Sequence, residues 1–336
     1  MVPNCTYVTL LSGGGEYVAP TLCLMRQLRK TRTRCGLAVI VNGALPERHR
    51  QQFNNASIGL VPLSSLFGRS AKSAARPDRS HPHAAASAAV AATAAVRASR
   101  SRLPSRRGAG VFFRGRRLFE SAMQTLLKIV VWALPPERFP RVALLDADMV
   151  VLENIDAIFE APLSEARPLA AVPNLPCSSK TFNSKVLVLL PNRSTYAALR
   201  PRVAQRFTLP KACEDTSGIQ SVLNAFFRGR WLHLPHRYNA HRSFLQSGNG
   251  GLPRLLKSWQ TSGSPAYSVL HVFDEPKPWR SNATMEARSR PLRDPDPLNE
   301  LWRQECRGTA LEPPAAFDGR RQYTVLPRPT GGGKLS

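Results

Sequence analysis

Acidic residues are scarce in this chain of 336 residues: 22 Asp and Glu face 47 Lys and Arg, for a formal net charge of +25. Such an excess invites a polyanionic partner. Yet the arginines are spread diffusely, and no basic stripe interleaved with aromatics occurs, so nucleic acid is not expected as the main ligand. Nine of the basic residues lie between positions 69 and 107 against a single acid, Asp78. The chain also lacks any apolar run near the ~20 residues needed to span a bilayer. A strand-like run begins by Thr6, which leaves no room for a signal peptide, and the expectation is a soluble, cytoplasmic protein. The six cysteines are scattered, with no C-x-x-C pair and no Cys/His ligand spacing. That excludes a zinc-ribbon type of site and predicts reduced thiols rather than a disulfide framework.

What is present alternates strand with helix. Tyr7–Leu11 is a β-rich run broken by Ser12-Gly13-Gly14-Gly15, and Leu22, Met25 and Leu28 then recur at helical spacing. Leu37–Val41 is continuously apolar, as suits a strand buried on both faces. Pro46–Phe53 predicts a short helix and Ile58–Leu63 a third strand. Leu118–Leu134 predicts a long helix ended by Pro135-Pro136. Further strands are expected at Val142–Leu145, Leu169–Val172, Val186–Leu190 and Val269–His271, with helices at Ser194–Arg206 and Ile219–Phe227. The alternation predicts an α/β fold, a mostly parallel central sheet flanked by helices. Residues 69–107, almost all Ala, Ser, Arg, Pro and Val, read as a low-complexity insertion in one domain spanning 1–281. Residues 282–336 read as a Pro- and Arg-rich, loosely attached tail.

The chemistry concentrates at the end of the Val142–Leu145 strand, where Asp146-Ala147-Asp148 follows. Two carboxylates at the carboxyl edge of a parallel strand sit where α/β proteins bind ligands. Like charges held together there call for a cation, and oxygen ligands of this kind suit Mn²⁺ or Mg²⁺ together with substrate phosphates. Asp156, at a helix start, reads as a first-turn charge rather than a ligand.

With these segments in view, the chain resembles glycosyltransferase family 8, the family of glycogenin and galactinol synthase. The resemblance rests on ordered segments: Tyr7 to Tyr17; Lys128-Ile-Val-Val-Trp132; Leu144 to Asp156 around Asp-Ala-Asp; Phe182-Asn183-Ser184 with Val186 to Pro191; Gln220 with Leu223 to Phe227; Trp231 to Asn239; and His271 to Trp279. It implies a Rossmann-like nucleotide-diphospho-sugar transferase fold of the GT-A type. It also implies a uridine-diphosphate sugar donor, Mn²⁺ with Mg²⁺ as substitute, and retention of configuration at the anomeric carbon. Carried over by position, Leu10, Ser12 and Tyr17 would hold uracil and ribose. Asp146, Asp148 and His271 would bind the metal, with Ala147 among the substrate-binding residues. Lys128 would meet the donor sugar or phosphate, Asn183 and Ser184 the sugar hydroxyls, Gln220 the acceptor side, and Lys277 the pyrophosphate. Asp215 and Lys128 are the candidate catalytic residues. The acceptor is a hydroxyl compound (a glycan, an inositol-type small molecule or a protein tyrosine), and a homodimer is a further expectation. A Golgi location would require an anchor preceding Met1.

Two positions depart from the family pattern. Ile219-Gln220-Ser221 stands where related chains carry Asp-Gln-Gly, which is why Asp215, four residues upstream, is the substitute acid. Asp274 stands where a glycine near the diphosphate is common. Both motivate an alternative, a catalytically silent nucleotide-sugar-binding or scaffold protein on the same fold.

Overall fold

The protein is described from a computed structural model, over residues 4–12, 15–67, 127–175, 178–204, 219–241, 261, 265–272, 277–279 and 297–306. The insertion at 69–107, residues 118–126 of the expected long helix, Asp215 and Asp274 lie outside these.

Cα packing divides the chain into two units, the first comprising Met1–Tyr17, Arg34–Ala147 and Asp156–Pro235. Its sheet is built from β1 (Thr6–Ser12), β2 (Gly36–Asn42), β3 (Gly59–Pro62), β4 (Val142–Leu145), β6 (Leu169–Asn174), β7 (Ser178–Leu189) and β8 (Trp231–His233). The strand order is β3-β2-β1-β4-β7-β6-β8. The β1–β2, β2–β3, β1–β4 and β6–β8 pairs are parallel, whereas β7 runs antiparallel to both β4 and β6. The reversal follows from connection length: the few residues between β6 and β7 allow a hairpin but not a crossover. All four side chains of β4 are buried, as expected for a central strand covered on both faces.

Helices α2 (Glu47–Asn55), α3 (Arg193–Ala204) and α4 (Ile219–Phe226) belong to this unit. Leu127–Ala133 forms a 3₁₀ helix, not the α-helix the periodicity predicts. It ends as expected, before Pro135-Pro136, because proline offers no N–H to continue the ladder. Its Trp132 is fully buried and stacks on Phe227 with centroids 5.4 Å apart. Phe182 of β7 meets Trp231 of β8 edge-on at 5.2 Å. Burying a large apolar side chain of this kind is worth ~2–3 kcal/mol.

The second unit comprises Val18–Thr33, Asp148–Ile155 and His236–Ser336. It holds α1 (Val18–Lys30), a three-stranded sheet and α5 (Pro297–Glu305). The sheet runs β5 (Met149–Val151), β10 (Val269–His271), β9 (Ala240–His241). Helix α1 ends where Arg32 takes a positive φ of 60° and its N–H reaches the Arg29 carbonyl. Helix α5 lies within the segment read from sequence as a tail, and it buries Leu301, Trp302 and Cys306 against α1 and the small sheet.

The expectation of reduced thiols is overturned. Cys5 is bonded to Cys35, and Cys23 to Cys306. The first pair follows from register: Thr6 sits opposite Gly36 in the β1–β2 ladder, so the preceding residues lie side by side with Cα atoms 4.9 Å apart. The second joins α1 to the end of α5 over 283 residues of sequence, which spacing alone does not reveal. Among the described residues no helix is long and apolar enough to cross a membrane.

Candidate active site

Asp146 follows directly on β4, and the peptide N–H of Asp146 donates to the Lys185 carbonyl of β7 at 3.1 Å, which fixes the strand exit. Its carboxylate is straddled by Lys128, whose Nζ is 2.7 Å from Oδ1 and 2.9 Å from Oδ2. Lys128 also donates to the Ser184 carbonyl at 3.2 Å, so a residue of the 3₁₀ helix and the turn after β4 are held on one point of β7. A second ammonium, from Lys185, lies 3.2 Å from Asp146 Oδ2. A buried lysine such as Lys128, 5% exposed, keeps its charge only by pairing of this kind.

The neighbouring positions of β7 are organised by α4. Gln220 Oε1 accepts from the Ser184 N–H at 2.9 Å, and Asn224 holds Phe182 at both its N–H and its carbonyl, each at 2.8 Å. Asn183 Oδ1 accepts from the Lys185 N–H at 3.0 Å. Ser184 and Gln220 are buried, so what they show is mutual support of backbone. Ile219 is wholly buried in the main core. The position where an acid is missing therefore faces apolar side chains. Ser12 Oγ accepts from Asn42 Nδ2 at 3.1 Å, tying the end of β1 to that of β2. Leu10 and Tyr17 are half-buried.

Asp148 begins the second cluster. Its carbonyl accepts from the Val272 N–H at 2.9 Å, while antiparallel pairing sets His271 opposite Met149. The result brings His271 Nε2 to 3.3 Å from Asp148 Oδ1. Lys277 Nζ donates to Asp148 Oδ2 at 2.7 Å and to the Val272 carbonyl at 2.8 Å. The same ammonium lies 5.5 Å from the centroid of the Trp279 ring, within range of a cation–π attraction.

One residue separates Asp146 from Asp148, so the chain itself keeps the two carboxylates together. Asp146, Asp148 and His271 each offer one ligand atom, and the three atoms lie within 4.8 Å of one another. Two carboxylate oxygens and one imidazole nitrogen on that scale fit a six-coordinate divalent ion that takes its remaining ligands from water or phosphate. Asp156 is not part of this set. Its carboxylate accepts from Tyr7 Oη and from the Arg34 N–H, both at 2.9 Å, in a structural role.

Lys185 escaped the sequence reading, which passed from Ser184 to Val186. The available signal was a lysine directly before the apolar run Val186–Leu189, on the same face as Asn183 by the two-residue alternation.

A parallel-centred sheet with an Asp-Ala-Asp segment at a strand end defines the nucleotide-diphospho-sugar transferase class, GT-A type. The comparisons agree. The sequence profile of Glycosyl transferase family 8 matches residues 9–283, and the chain belongs to that family. Glycogenin-1 of Oryctolagus cuniculus is 30% identical over 196 residues, covering 53% of this chain and 50% of the relative. Galactinol synthase 1 of Solanum lycopersicum is 23% identical over 253 residues, covering 70% and 64%. The chain spans half or less of the length of the first curated relatives it matches. Among solved structures, the galactosyltransferase LgtC in complex with donor and acceptor sugar analogues superposes with a TM-score of 0.52 at 14% identity, covering 92% of this chain and 98% of that one. The glycosyltransferase GlyE of Streptococcus pneumoniae, in its apo form, gives 0.53 at 15% identity, covering 90% and 59%. At these identities the likeness is one of fold.

Proposed function

We propose that this chain is a retaining hexosyltransferase that moves a sugar from a uridine-diphosphate donor to a hydroxyl acceptor, with Mn²⁺ held by Asp146, Asp148 and His271. The observation that carries the reading is the convergence of those three side chains within 4.8 Å, flanked by Lys128 and Lys277. When bound, the ion supplies Lewis-acid stabilisation of the diphosphate leaving group. Mg²⁺ satisfies the same donor set less well, because it favours all-oxygen ligands.

The chain's own residues divide the remaining work. Lys277, fixed between Asp148 and the Val272 carbonyl, offers a positive charge where negative charge builds as the anomeric C–O bond breaks, which lowers the barrier without reorganisation. Lys128 places a second charge at Asp146. Asn183 and Ser184 on β7 are assigned the sugar hydroxyls, and Gln220, whose Oε1 accepts from the Ser184 N–H, the acceptor side. Leu10, Ser12 and Tyr17, at and after the end of β1, are assigned the uracil and ribose. With the acceptor hydroxyl attacking on the face from which the diphosphate leaves, its proton passes to a departing phosphate oxygen, and configuration is retained. Asp215 is assigned to orienting the acceptor.

A donor screen tests this directly. Purified protein should release uridine diphosphate from at least one common sugar donor in the presence of Mn²⁺ and not in its absence. Failure with every donor would favour the silent, binding-only alternative, and a product of inverted configuration would reject the same-face mechanism.

A further inference from the structure

We propose that Asn55 is a site of N-linked glycosylation on a chain that matures in an oxidising compartment. The inference is independent of the transfer reaction proposed above. It starts from the two disulfides, Cys5–Cys35 and Cys23–Cys306. Such bonds form and persist where thiols are oxidised, the setting of secreted proteins, in which Asn-x-Ser/Thr triplets are glycosylated. The sequence holds four triplets, at Asn4, Asn55, Asn192 and Asn282, and the last lies outside the described residues. Asn4 is followed by the disulfide-bonded Cys5, and Asn192 Oδ1 caps α3 by accepting from the Thr195 N–H at 3.0 Å. Asn55 has neither commitment, and both it and Ser57 are exposed.

Local conformation does not account for a serine at position 57. Helix α2 closes with the Ser57 N–H on the Asn54 carbonyl at 2.8 Å and the Ile58 N–H on the Phe53 carbonyl at 2.9 Å. That pair of bonds is a Schellman ending, and it holds Ser57 in the left-handed region, at φ 51°. Glycine is the residue such a position favours, because a Cβ is strained there. The serine is instead the residue that completes the triplet. Asn55 also has room for a bulky substituent. It precedes β3 and so lies at the amino edge of the parallel strands, as Cys5 and Cys35 do before β1 and β2. Asp146 leaves β4, a strand parallel to β1, at the opposite, carboxyl edge. A glycan on Asn55 is thereby kept away from the Asp146 carboxylate.

The reaction transfers an oligosaccharide from a lipid-linked diphosphate carrier to the Asn55 amide. The bond from the anomeric carbon to the carrier phosphate breaks and a bond from that carbon to Asn55 Nδ2 forms. Nδ2 gives up one proton, and the lipid diphosphate leaves.

The test uses the full chain isolated from its native source. Its peptides are treated with peptide N-glycosidase in heavy-oxygen water, which turns a glycosylated asparagine into a labelled aspartate, and are read by mass spectrometry. Asn55 should be recovered as labelled aspartate. Asn54, its exposed neighbour with no hydroxyl residue two positions on, should remain asparagine. In Ser57→Gly, returned to the same source, the label at Asn55 should be lost while circular dichroism shows the fold retained, since glycine suits the left-handed turn. Asn55 recovered unlabelled from the unmodified chain would overturn the proposal, as would a label that persists in Ser57→Gly.

Discussion

Removal of the Cys23–Cys306 bond should cost this protein a measurable part of its stability and loosen the support of Lys277. The bond closes a loop of 283 residues. Treated as chain entropy removed from the unfolded state, such a loop corresponds to a ceiling of ~5–6 kcal/mol at 25 °C, of which measured cases typically deliver ~2–4. The native side of the balance is local. Gln27 Nε2 donates to the two bonded sulfurs at 3.4 and 3.8 Å, and its Oε1 accepts from the Val151 N–H of β5 at 2.9 Å. Trp302 of α5 packs on Trp279 at 5.2 Å, and Trp279 lies beside the Lys277 ammonium. The double variant Cys23→Ala/Cys306→Ala therefore releases the end of α5 from a contact chain that reaches Asp148 through Lys277. Urea denaturation followed by tryptophan fluorescence should show a midpoint lowered by the equivalent of ~2–4 kcal/mol, with Trp302 emission shifting first. An unchanged midpoint at unchanged slope would refute the reasoning, since neither loop entropy nor the packing of α5 would then depend on the bond. The pairing bears on location as well. Disulfides persist in oxidising compartments, so trapping of free thiols in protein taken from its native compartment should find these four sulfurs blocked.

Lys277→Ala should lower kcat of the donor-hydrolysis or transfer reaction by ~10²–10³, with a smaller change in KM; equal effects on both would mean that Lys277 holds the donor without stabilising its departure. Asp148→Asn should abolish Mn²⁺ binding by paramagnetic resonance while leaving the circular dichroism spectrum intact, and retained binding would remove Asp148 from the ligand set. His49 is buried in α2, and burial followed by the Arg48 charge holds its pKa below the ordinary value. The unfolded chain thus takes up a proton more readily than the fold. The stability from keeping His49 neutral is present above the unfolded pKa and lost as pH falls through the folded one. Denaturation midpoints measured downward from pH 7 should fall less steeply in His49→Phe, and identical slopes would show that His49 carries none of this dependence.

The strand-and-helix alternation was legible because buried strands write continuous apolar runs: Leu37–Val41 and Val142–Leu145 became β2 and β4. The Asp-Ala-Asp pair was legible for a related reason, since polar residues that interrupt such a run mark the sheet's carboxyl edge. What escaped needed information that no local window contains. The helix at Pro297–Glu305 is a single short turn-set in a basic, proline-rich stretch, and its propensity says little until Trp302 and Cys306 meet α1. The Cys5–Cys35 bond depends on the register of two strands thirty residues apart, and Lys185 on which face of β7 meets Asp146. The same distinction bears on Ile219. From sequence it signals a lost acid, whereas in the structure it is a core side chain on α4 whose neighbour Gln220 braces the Ser184 backbone. Restoring an acid there would bury a carboxylate among apolar groups, at a cost of several kcal/mol. Ile219→Asp should therefore lower stability rather than raise activity, measured as a depressed melting temperature alongside donor turnover. A variant that melts normally and turns over faster would show that Ile219 stands at the acceptor and that the core placement argued above is mistaken.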